Sequence, residues 1–275
     1  MSKKEINYSN PKELAKYIIE KSPVGLLDSS IKSLKVLLKE EVLNSTEILK
    51  AIKDYNEDHL MPISLKNVKS KVIISSYNKD SDNFYYDQGQ KIRFKLNEKC
   101  EEEKVEPYES KNETRKAIEE KLIDYINKYY NKKNIHYNVY YDSIVDKIFV
   151  LICGQILNEA NYLNGEWLSI WELDLNDKSV SGEIRINTIY FEEGNVQFNL
   201  KKNYETKIQG NDYADELIKF IEMNENEIQK KLEKVNRNFS EDYIKPLRKR
   251  VSLTGSDMKW SLDQIQFRQQ QNQQL

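Results

Sequence analysis

From residue 11 to about residue 60 the apolar positions recur at helical spacing. In PKELAKYIIEKSP, Leu14, Tyr17, Ile18 and Ile19 fall near one stripe. Pro11 suits a first helical turn, and Ser22-Pro23 ends the run. SSIKSLKVLLKEEV reads as a second helix carrying Ile31, Leu34, Val36, Leu37 and Leu38, and STEILKAIKDYNEDH as a third, with Ser45 or Thr46 as its N-cap. From Val68 the period changes. KSKVIISSYN and QKIRFKLNE alternate or run rich in β-branched residues, around the polar stretch SYNKDSDN. Residues 97–113 are acidic and read as an exposed loop. ETRKAIEEKLIDYINKYYN returns to the helical period, with Ala117, Leu122, Ile126 and Tyr129 on one side and Glu/Lys pairs on the other.

Five strand-like segments then follow in series: HYNVYYDS, DKIFVLICGQIL, GEWLSIWELDL, SGEIRINTIYFEE and NVQFNLKKNYETK. Short turn-rich breaks between them predict an antiparallel meander. Such a sheet needs a covered face. The long helical segment after it, with Ala214, Leu217, Ile218, Ile221, Ile228 and Leu232 on one stripe, supplies the cover. The class is α+β: N-terminal antiparallel helices (1–65), a small β segment with an acidic loop (66–113), a helix plus central antiparallel sheet (114–210), a long helix over the sheet (211–244) and a C-terminal extension (245–275). Trp167 and Trp171 share one strand face and read as core, and Cys153 as a buried strand residue.

Composition narrows the chemistry. The 43 basic and 45 acidic residues of the 275 nearly cancel, at a net charge of −2, so no domain-wide basic excess of the nucleic-acid-binding kind exists. With a mean hydropathy of −0.78, the chain has no apolar run long enough to cross a bilayer, and MSKKEINYSNPKE lacks the apolar region of a secretory signal. The two cysteines, Cys100 and Cys153, fit a reduced, cytoplasmic setting. The two histidines, His59 and His136, stand in different elements without metal-ligand spacing. There is no phosphate-binding glycine loop and no serine or threonine with a neighbouring histidine. The residues predict no enzyme and no cofactor.

The C-terminal stretch LRKRVSLTGSDMKWSLDQIQFRQQQNQQL is the most informative. Lys245, Arg248, Lys249 and Arg250 form a basic cluster. On a helical wheel Leu247, Val251, Met258, Leu262 and Ile265 share one side, Leu253, Trp260 and Phe267 fall on the other, and Gly255 interrupts the middle. Two readings stand: a helix packed on its own body, or an arm that lays an amphipathic face on a partner. Four large apolar anchors contribute roughly 6–12 kcal/mol, against an association cost of about 4–15 kcal/mol. Such an arm needs a second contact, which the basic cluster supplies toward an acidic surface.

Several stretches, in order, resemble one family. YLNGEWLSIWELDL (Tyr162–Leu175) is similar to the W-N-G-x-W-x-S-x-W signature of the α subunit of F-actin capping protein, and IYFEEGNVQF (Ile189–Phe198) to its H-Y-Y-E-D-G-N-V-Q-L segment. FIEMNENEIQ, KYIIEKSPVG, YNEDHLMPI and DQGQKIRFK resemble further segments of that family. The resemblance implies a non-enzymatic cytoplasmic, cytoskeletal protein that caps the barbed end of actin filaments as a dimer. It implies a capping protein β subunit as partner, with the two sheets joined into one, and regulation by phosphoinositides. A homodimer with a second copy is geometrically equivalent. The resemblance also implies that the tail is an actin-binding arm: Lys245, Arg248, Lys249 and Arg250 meeting acidic actin, and Met258, Trp260, Leu262 and Ile265 docking apolar contacts. Aligned on Trp260, two further basic positions of the family fall on Gly255 and Asp257, while Arg250 and Lys259 are basic where the family is not. A phosphate on Ser252 places negative charge in the actin-facing cluster. The alternative is a dimeric scaffold without capping activity whose basic tail meets acidic lipid or nucleic acid; under the favoured reading no nucleic acid is bound.

Overall fold

The computed structural model describes residues 10–66, 68–131, 133–158, 162–190, 196–210 and 212–238. The N-terminal stack comprises α1 (Pro11–Glu20), α2 (Leu27–Leu37), α3 (Glu40–Leu43) and α4 (Thr46–Asp58). Pro11 opens α1, and the Asn10 side chain caps it by accepting from the Lys12 N–H. One helix was expected across SSIKSLKVLLKEEV, and the structure has two. Leu38 and Lys39 are extended, and the break lets both Leu38 and Leu43 pack on the core of Ala15, Ile19, Leu34, Ile48 and Tyr55. Val36 and Leu37, two of the apolar residues of that segment, are exposed. Ser45 stands at the N-cap of α4, but its hydroxyl donates backward to Val42 O instead of capping.

β1 (Pro62–Ile63) pairs with β2 (Val72–Ile73), and β3 (Phe84–Asp87), β4 (Ile92–Leu96) and β5 (Glu102–Pro107) form a three-stranded sheet. β5 corrects the reading of 97–113 as loop. Its one aliphatic side chain, Val105, packs on the cluster of Tyr85, Phe94 and Leu96. On the other face Glu106 pairs across the strands with Arg93 and along β5 with Lys104, and this charge network compensates for the missing apolar alternation. α5 (Glu113–Tyr129) buries Ile118, Leu122, Tyr125 and Ile126. Ala117 and Tyr129, placed by the sequence on that stripe, are exposed.

The central sheet is the predicted meander: β6 (Ile135–Asp142), β7 (Lys147–Asn158), β8 (Leu163–Asp174), β9 (Ser179–Tyr190) and β10 (Val196–Lys207), antiparallel throughout in the order β10-β9-β8-β7-β6. One face places Leu151, Cys153, Leu168 and Ile170 against Leu60 and Ile73. The opposite face carries Trp171, fully buried, whose ring meets Phe220 of α6 (Tyr213–Asn238) edge-on at 5.5 Å. Ala214, Leu217, Ile218 and Ile221 are buried along that first part of α6, and Lys121 of α5 reaches Asp215 at 2.8 Å. The contacts divide the chain between Ile221 and Glu222, within α6.

Candidate partner and filament interface

The two edges of the central sheet differ. At the β6 edge Gln88 both donates to Tyr141 O and accepts from Tyr141 N–H, each at 2.9 Å. Arg115 donates to Val139 O at 3.2 Å. Backbone groups of that edge are thus satisfied from within the chain. No strand pairs with the outer side of β10 among the described residues. The strand runs without a register shift against β9 from Val196 to Lys207. It lacks proline and bulges, two devices that blunt free edges, and only its lysines discourage pairing.

An apolar band adjoins this edge. Register places Ile156, Gly165, Thr188 and Phe198 in one row, with Trp167 and Ile186 beside it, on the face that carries Trp171. Ile156, Leu163, Tyr190, Val196 and Phe198 are all exposed large apolar side chains. A groove of about 400 Å³ runs along the band between Tyr130, Ile135, Ile156, Leu163, Trp167 and Ile186. The Trp167 indole N–H is buried there without a hydrogen-bond partner among the described residues. An exposed apolar band beside an edge strand whose outer side meets no other strand among the described residues has the composition of an interface.

The other face of the sheet is fixed to the N-terminal stack by polar contacts. Glu166, whose side chain is 0% exposed, accepts from Asn187 at 2.7 Å and pairs with His59 Nδ1 at 2.8 Å. His59 stacks on Tyr55 with ring centroids 4.1 Å apart. Arg185 reaches the Asp58 carboxylate at 2.8 Å, Gln155 donates to His59 O, and Asn164 donates to Val24 O. Gly25 has φ +74°, and a Cβ there would meet Leu157 and Asn164 at 2.7 and 2.8 Å, so glycine is required for this approach. Burial, followed by the field of Glu166, pushes the Tyr55 hydroxyl well above its ordinary range. The same two causes raise the Cys153 thiol, which makes it an inert core residue. Burial and then Lys71 lower His136. Among the described residues no group of three or more His, Cys, Asp or Glu side chains could hold a metal ion, and no helix is long and apolar enough to cross a membrane.

The tail residues singled out in the sequence, Lys245, Arg248, Lys249, Arg250, Met258, Trp260, Leu262 and Ile265, lie outside the described residues. The structure instead brings forward β10 and its apolar band. The readable signal for them was the lysine pair in the middle of an otherwise alternating strand, VQFNLKKNYETK.

The sequence model of the F-actin capping protein alpha subunit matches residues 15–271. The chain belongs to that family. Among relatives described as F-actin-capping protein subunit alpha, that of Arabidopsis thaliana is 26% identical over 96% of this chain and 92% of its own. That of Saccharomyces cerevisiae is 30% identical over 90% and 91%. A solved structure, that of the homodimeric actin capping protein alpha subunit from Plasmodium berghei, superposes with a TM-score of 0.69 at 25% identity, covering 88% of this chain and 96% of that one. The F-actin capping protein alpha family is non-enzymatic, in keeping with the structural uses of His59, Glu166 and Cys153 described above. The family match runs past α6 through the basic cluster and Trp260.

Proposed function

We propose that this chain is one subunit of a dimer that caps the barbed end of actin filaments, blocking subunit addition and loss. The single observation that carries this reading is the family match across residues 15–271, which takes in both the folded body and the tail. In this reading the body dimerises along β10, joining two sheets into one and covering the apolar band beside it. The partner is a capping protein β subunit or a second copy of the chain. The P. berghei relative, described as a homodimeric α subunit, supports the second arrangement.

Residues 245–275 act as the actin-binding arm. Lys245, Arg248, Lys249 and Arg250 meet acidic actin, and Met258, Trp260, Leu262 and Ile265 supply apolar contacts. The boundaries 1–65, 66–113, 114–210 and 211–244 delimit the parts that build and carry the dimer. The protein works in the cytoplasm on the cytoskeleton, without cofactor or nucleic acid, and the basic cluster is the point at which phosphoinositides compete with actin. Deleting Lys245–Leu275 tests the assignment. Capping, measured as inhibition of barbed-end elongation, is expected to weaken, its half-effective concentration rising at least about 100-fold, equivalent to losing about 2.7 kcal/mol of contact, while the truncated body still dimerises. Unchanged capping by the truncated dimer would remove the tail from the mechanism.

A further inference from the structure

The N-terminal stack holds a cavity of about 510 Å³ between α2, α4 and the turn that joins β4 to β5. Its lining is aliphatic: Ile48 and Ile52 of α4, Ile19 of α1, Ile31 of α2, Leu43 of α3 and Leu157 of β7. The sequence of α2 explains why it stays open. Leu27, Leu34 and Leu38 pack on the core of the stack. Asp28, Ile31 and Lys35, three and four residues apart, form a different stripe of the same helix, and that stripe lines the cavity. Ile31 and Ile52 are left half-buried on it.

The charged residues at the cavity are of both signs. Asp28 and Lys35 come from α2, Glu98 and Lys99 from the β4–β5 turn, and all four are exposed. None of them makes an ion pair among the described residues. Asn56 of α4, half-buried in the lining, has its amide nitrogen 3.7 Å from Cys100 Sγ, a weak acceptor. Pockets of about 300–1,000 Å³, mostly apolar with a few polar groups to fix orientation, are the usual form of a small-molecule site. A head of one sign only would leave two of the four charges facing their own sign, which discriminates against it. We propose that this cavity binds a single-chain amphiphile whose head carries both a positive and a negative charge. The aliphatic chain fills the cavity, the cationic part of the head meets Asp28 or Glu98, and the anionic part meets Lys35 or Lys99. This activity is separate from filament capping and does not depend on it.

Isothermal titration of the full-length chain tests the assignment. The probes are dodecylphosphocholine below its micelle concentration, with dodecanoate and dodecyltrimethylammonium as single-charge controls. Dodecylphosphocholine is expected to bind at one site per chain, and each control about 10-fold more weakly. Ile52→Trp fills the cavity and is expected to abolish binding. Ile31→Trp, on the α2 wall, does the same and replaces it if the first variant fails to fold. Lys35→Glu combined with Lys99→Glu makes all four charges acidic and is expected to reverse the order in favour of dodecyltrimethylammonium, a change that loss of structure alone does not produce.

Equal affinity for the three heads would overturn the proposal, as would binding at several sites that a folded filling variant leaves unchanged. An unaltered order of preference in the double glutamate variant would overturn the role of the charges. Absence of binding by all three probes, with Ile52→Trp changing the mass of the assembly in light scattering, would assign the cavity to a contact with another protein chain instead.

Discussion

At the scale of single residues, Gly182 shows how closely the sheet face is fitted. It stands directly opposite Trp171 on β8 and Tyr204 on β10. The Trp171 indole lies over it to stack on the Tyr204 ring, 5.8 Å away. A Cβ at position 182 would come within 2.0 Å of Trp171 Cε3. The indole cannot retreat: it is fully buried, meets Phe220 on its other side and donates to Ser169 Oγ at 2.6 Å. Gly182→Ala is therefore expected to cost about 1–3 kcal/mol by overpacking. Chemical denaturation checks this: a lower midpoint at an unchanged slope is expected, and an unchanged midpoint would show that the indole has room to move. The tryptophan's place in the core was legible from its period along β8. The glycine beneath it was not, because the clash exists only across strands whose register the sequence does not state.

At the scale of elements, the N-terminal stack is joined to the sheet where the C-terminal end of α4 meets β8 and β9. His59 and Glu166 make the central contact, with Asp58 and Arg185 beside it. Removing one member of a buried pair leaves the other uncompensated. His59→Ala is expected to destabilise the fold by about 3 kcal/mol, while adding Glu166→Gln to it recovers a large part because no buried charge remains. A thermodynamic cycle on the two changes measures the coupling; independent, additive losses would mean that the pair does not join the elements. The helices and the five-stranded meander were legible because each carries its own period. β5 was missed because one valine among charged residues gives no alternation, and its pairing depends on Arg93 from another strand. The split between α2 and α3 was missed because the apolar run continues across it, and only packing on Ile19 and Tyr55 decides where the chain bends. The free edge at β10 was not assigned because a meander leaves two edge strands, and which of them is satisfied depends on groups from elsewhere in the chain. Gln88 satisfies β6 from a distant part of the chain.

At the scale of the whole molecule, the proposed function assigns pairing to the edge of β10 and the apolar band on its Trp171 face, and actin contact to a C-terminal sequence rich in cations and large apolar residues. No part of this needs catalysis: the buried Glu166–His59 pair holds layers together, and the buried Cys153 thiol is held protonated. In the proposed function, capping needs only that a dimer occupy the filament end tightly enough to exclude the next subunit, which many individually weak contacts accomplish when they act together. The most direct measurement is elongation of actin from filament seeds in the presence of the purified full-length dimer. Arrest of barbed-end growth at nanomolar to micromolar concentration, with pointed-end growth continuing, is the predicted result; undiminished barbed-end elongation across that range would contradict the account.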